Sequence, residues 1–139
     1  MKKFILLLFI ALQFGATAQE TKNAEGFQIF SYQEGDTTYT MKQYVLCLLI
    51  EGPNRDHSED EADVIQAAHL AHLEQLAADN KICMVGPMGD DDNIKGIIIF
   101  NTPTVAEAKA LAKADPAVKA GRLLVEVHPW WGAVGSKLY

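Results

Sequence analysis

Tyr44-Val45-Leu46-Cys47-Leu48-Leu49-Ile50-Glu51-Gly52-Pro53 decides the fold. Seven residues without a charge end abruptly at an acid, a glycine and a proline, the pattern of a strand that runs into a loop. The run does not alternate. A strand with one face in water shows polar residues at every second position, whereas this one asks for burial on both faces. Ile97-Ile98-Ile99-Phe100 has the same two-sided character.

Working outward, Ser58 or Asp60 caps a long helical stretch to about Asp79, with acids gathered in its first turn. Ile82–Val85 is a second strand leading to Gly86-Pro87, and Gly89-Asp90-Asp91-Asp92-Asn93 is a hairpin loop. Ile94–Phe100 is the third strand, and Thr104 caps a second helix through Leu111. Residues 115–121 form a short turn or helical loop, and Arg122–His128 is the fourth strand. The order β-α-β-β-α-β predicts an α+β, ferredoxin-like unit. Its antiparallel sheet carries both helices on one face, so the two-sided strands leave an apolar face open. A symmetric dimer whose sheets close into a barrel covers that face, and a homodimer is expected.

The ends of the chain read differently. Lys2 and Lys3 precede the apolar run Phe4–Leu12, and Ala16-Thr17-Ala18 supplies a small-residue cleavage pattern, so residues 1–19 are expected to be a signal peptide for export to the periplasm or beyond. Residues 20–42 are polar, a linker or arm in which Phe27–Gln33 and Thr37–Met41 can form a weak hairpin. The compact domain covers 43–132, followed by a tail at 133–139. The chain of 139 residues carries a formal charge of −6, and loss of Lys2 and Lys3 makes it more negative. That balance disfavours nucleic acid and anionic membranes as partners. Cys47 and Cys83 sit in short apolar runs with no CxxC or Cys/His spacing, so a disulfide and a metal site are both disfavoured.

The chemistry concentrates on histidines. On the first helix Ala62, Ile65, Leu73 and Leu76 define the apolar face; His69 projects near its centre and His72 at its edge. A buried imidazole must find a polar partner. Two readings of His69 are open: a core histidine bonded to a carbonyl, or an acid/base group at the rim of a cleft. Asp115 is the candidate partner, although Asp before Pro116 is also a good helix cap. His69 and His72 lack a third ligand for a metal. Arg55, after Gly52-Pro53-Asn54, is a candidate for meeting an anionic substrate beside the site, while His128 and Trp130 are either pocket-lining or structural. Asp90, Asp91 and Asp92 lack the spacing of a calcium loop, and no phosphate loop or dinucleotide fingerprint is present.

Taken together, Ala68-His69-Leu70-Ala71-His72-Leu73, Gly86-Pro87-Met88, Ala114-Asp115-Pro116-Ala117-Val118-Lys119-Ala120-Gly121 and Val125-Glu126-Val127-His128-Pro129-Trp130 resemble the YCII-related family across Gln43 to Trp131. The resemblance implies the dimeric α+β barrel and a His–Asp active-site pair falling on His69 and Asp115. His72 stands at a position often basic in relatives. A dehydrochlorinase of aromatic breakdown is among the few relatives with an assigned activity. The resemblance thus implies proton-transfer elimination or isomerisation on a small, partly apolar molecule, with no cofactor. A non-catalytic small-ligand-binding protein and an accessory protein are the alternatives.

Overall fold

The structure, a computed structural model, describes residues 19–139; the expected signal segment lies almost wholly outside them. The elements run β1 (Thr21–Lys22), β2 (Gln28–Glu34), β3 (Thr37–Glu51), α1 (Glu59–Ala78), β4 (Ile82–Pro87), β5 (Ile94–Phe100), α2 (Val105–Lys113), α3 (Pro116–Lys119) and β6 (Leu123–Ala133). Every paired neighbour is antiparallel. From Tyr44 onward the order across the sheet is β6-β3-β5-β4, with both long helices in the two crossovers. This is the ferredoxin-like arrangement.

Two boundaries differ from the sequence reading. The strand of the deciding stretch starts at Thr37, so the expected arm runs unbroken into the domain at position 43. β2 pairs with the first residues of β3 on the edge that β5 takes over further along, because Lys42 meets Ile29 and Val45 meets Phe100. The fourth strand continues past His128 to Ala133. Pro129 does not stop it, because β6 pairs with β3 alone and an edge strand can spare one N–H.

Local chemistry sets the helix ends. Ser58 Oγ accepts from Glu61 N–H at 3.3 Å while the Glu61 carboxylate accepts from Ser58 N–H at 2.9 Å, a reciprocal cap on α1. At the other end Asn80 takes φ 55°, and the Lys81 N–H reaches back to the Leu76 carbonyl at 2.8 Å. Thr104 caps α2 by accepting from Glu107 N–H at 3.1 Å.

The core lies between helices and sheet. Val45, Cys47 and Leu49 of β3 meet Ile98 and Phe100 of β5, with Leu73 and Leu76 of α1 and Ala108 and Ala112 of α2 above them. The small alanines let α2 lie close to the sheet. Leu46, Leu48, Ile97 and Ile99 point to the other face, as their register positions require. Met84, Leu124 and Trp130 on that side are exposed, so both strand faces are apolar but only one carries helices. Cys47 and Cys83 are free thiols.

Candidate active site

Asp115 is 1% exposed and does two things at once. Its Oδ1 accepts from Ala117 N–H at 2.8 Å, capping α3 with Pro116 as the first helical residue. Its Oδ2 lies 2.6 Å from His69 Nδ1, across the gap between α3 and α1. Capping and pairing, alternatives in the sequence, are shared between the two oxygens of one carboxylate. The cap therefore fixes the acid that holds the imidazole.

His69 is buried at 7% exposure, one helical turn before Leu73. Its Nε2 hydrogen-bonds to none of the described residues, and none of them leaves a buried side-chain nitrogen or oxygen without a partner. Nε2 therefore opens on the cleft that His69 lines. That cleft has a volume of about 360 Å³ and is walled by Leu49, Leu70, Leu73, Val85 and Pro87, with Gln66 and Lys95 as polar contributors. When Nδ1–H donates to Asp115, Nε2 presents a lone pair to whatever occupies the cleft. Cys47 lies beneath the pair; burial, and next the negative charge of Asp115, push its thiol up to about 12.

The other expected contacts separate. His72 Nε2 lies 3.1 Å from the Leu111 carbonyl, to which it donates, so this ring ties α1 to α2 rather than meeting a ligand in the cleft. A side chain at the edge of the stripe meets the neighbouring helix first. His128 and Trp130 occur on the far face of the sheet, opposite the cleft: Leu46 pairs with His128 and Tyr44 with Trp130. There His128 Nε2 contacts Glu126 Oε1 at 2.6 Å, and Trp130 helps line a second cavity with Tyr44, Leu46 and Met84. Both residues belong to β6, where the period of two puts them away from Val125 and Val127. Among the described residues no cluster of three metal-ligating side chains occurs.

Arg55 stands beside the cleft. It shares a groove of about 220 Å³ with Arg122, Glu51 and Ile65, and this groove has Gln66, Lys95 and Leu123 in common with the His69 cleft. Glu51 Oε2 forms ion pairs with Lys95 Nζ at 2.9 Å and with Arg55 Nη2 at 3.4 Å. These cations, Lys95 foremost, hold the Glu51 carboxyl below its usual range. Gln66, Lys95 and Arg122 escaped the sequence reading. Gln66 precedes His69 by one helical turn, a spacing that was available; Lys95 and Arg122 depend on strand register and loop contact.

The YCII-related domain matches residues 44–131, more than half of the chain, and the protein belongs to that family. Among solved structures, 5-chloro-2-hydroxyhydroquinone dehydrochlorinase from Burkholderia phenoliruptrix, in complex with 2,5-dihydroxybenzoquinone, is 29% identical, with a TM-score of 0.46 over 62% of this chain and 92% of that one. No curated protein matches.

Proposed function

We propose that the protein is a small-molecule enzyme in which His69 moves a proton at the cleft and Asp115 holds its ring. One observation carries this reading: a buried 2.6 Å pair at Nδ1 leaves Nε2 on a cavity of about 360 Å³. Nε2 takes a proton from a carbon or oxygen of the substrate, and Asp115 stabilises the imidazolium that results. The proton is then returned at another atom, which is isomerisation, or lost as a leaving group departs, which is elimination. A mostly apolar wall selects a small, partly apolar molecule.

We further propose export and a homodimer. The chain is exported, as Lys2, Lys3, Phe4–Leu12 and Ala16-Thr17-Ala18 suggest. It works as a homodimer that covers Leu46, Leu48 and Ile97 on the far face. Sedimentation equilibrium of the protein and of Leu48→Lys tests the latter: a dimer that the lysine dissociates supports it, and a monomeric parent refutes it.

The catalytic reading is tested with His69→Gln. A panel of small cyclic enols, quinols and halogenated phenols is screened for turnover by the parent protein. The variant is expected to keep the fold and lose roughly 10²–10⁴-fold in rate. Binding of a panel member at the cleft without product from any of them would instead mark a binding protein.

A further inference from the structure

The sequence contains two arginines, Arg55 and Arg122, and the fold brings both to one groove. They are 67 positions apart in the chain and meet because two loops are stitched together. Gly52 N–H donates to the Arg122 carbonyl at 2.9 Å, and Asn54 N–H to the Gly121 carbonyl at 3.0 Å. The Asn54 amide adds a bond to the Ala120 carbonyl at 3.0 Å. The approach is so close that a Cβ on Gly52 would lie 2.2 Å from the Gly121 oxygen, and Gly121 itself needs φ 71°. Glycine at both positions is what lets the arginine-bearing loops join.

The charges in this groove do not balance. Arg55, Arg122 and Lys95 face a single acid, Glu51, which takes Lys95 and Arg55. Arg122 makes no salt bridge among the described residues, and its one side-chain hydrogen-bond contact there is with His57, Nη1 lying 3.5 Å from Nδ1. A half-buried guanidinium without an acid, in a protein of net charge −6, is a place for an anion from outside. Lys95, Gln66 and Leu123 border this groove and the His69 cleft alike. One molecule can therefore reach both.

We propose that the groove of Arg122, Arg55 and Lys95 binds the carboxylate of the substrate while its apolar ring or chain fills the His69 cleft. The substrate class is then a small carboxylic acid with an apolar body, held at its charged end by Arg122. This assignment rests on the cleft proposed above as the reaction site and adds a substrate class to it. Arg122 and Arg55 are binding residues, and the reacting atom lies at the other end, beneath His69 Nε2. The arrangement gives orientation: the carboxylate is anchored in one compartment, so the same part of each ligand meets the imidazole.

Benzoate, benzamide and acetate serve as probes in NMR titrations that follow the His69 ring and the Arg122 side chain. Benzoate is expected to move both sets of signals with one affinity, about tenfold or more tighter than benzamide or acetate. Arg122→Gln should remove that preference while benzamide still titrates His69; Arg55→Gln is the second variant should the first fail to fold. Equal binding of benzamide and benzoate at His69 would overturn the carboxylate assignment and leave the cleft intact. Acetate as tight as benzoate, or benzoate moving Arg122 without His69, would show an anion site unconnected to the cleft and overturn it too. Neither ring compound reaching His69 would overturn both this assignment and the cleft's role.

Discussion

Each face of the sheet carries one histidine–carboxylate pair and one cysteine. On the helix side His69 meets Asp115, and on the far side His128 meets Glu126, both at 2.6 Å. Distance does not distinguish them. The side chains of the first pair are 9% and 2% exposed, those of the second 51% and 53%. Asp115 is anchored a second time by Ala117 N–H, whereas Glu126 accepts no other hydrogen bond among the described residues. Behind His69 lies a cleft; His128 stands on an open face. A pair becomes a chemical device when it is shielded, held in one orientation and given something to act on.

The cysteines should break the symmetry most visibly. With the Cys47 thiol pushed up to about 12 by burial and the Asp115 charge, its thiolate is far scarcer than that of an ordinary thiol at the same pH. Burial hinders the reagent as well. In a native alkylation time course read by mass spectrometry, Cys83 is expected to label first, although burial raises its pKa too, and Cys47 to label only on unfolding. Labelling of both at similar rates would mean that the helix side opens readily.

Removal of Asp115 comes next. Asp115→Ala loses a cap worth about 1 kcal/mol and strands a buried imidazole at a cost of roughly 1–3 kcal/mol, so unfolding by denaturant should shift by about 2–4 kcal/mol. Asp115→Asn separates the two jobs of the carboxylate. Its carbonyl oxygen still caps α3 and its amide faces His69, so stability should fall by only about 1 kcal/mol while turnover falls far more. Equal losses in both would make Asp115 a structural residue alone.

The smallest effect belongs to the far face. With the far face uncovered, as in one chain alone, Glu126→Gln removes an exposed pair worth about 0.2–1 kcal/mol and should leave turnover unchanged. A larger loss that grows with protein concentration would instead show the pair covered by a second copy, which sharpens the dimer proposal.

The same comparison explains what could be read in advance. The far face announced itself in Val45–Ile50, since period two makes two-sided burial visible in one dimension. His69 was legible because Ala62, Ile65, Leu73 and Leu76 on α1 define its direction. Its partner could be nominated but not placed, because the 46-residue separation to Asp115 is closed by tertiary packing. His72, His128 and Trp130 are candidates beside His69 in the sequence, yet each is decided by a neighbour no local pattern contains: the Leu111 carbonyl, Glu126 and Tyr44. Arg122 is the clearest case. Its role depends on Gly52 and Gly121 closing two loops together, and loop closure leaves no periodic trace.

The most direct test of the account is the tautomer of His69, read from long-range proton–nitrogen NMR at alkaline pH in the protein and in Asp115→Asn. The account predicts a proton on Nδ1 and a bare Nε2 in the parent, and a switch to a protonated Nε2 when the asparagine amide donates to Nδ1. A protonated Nε2 in the parent, or no change on substitution, would contradict it, because Asp115 would then not be what presents the Nε2 lone pair to the cleft.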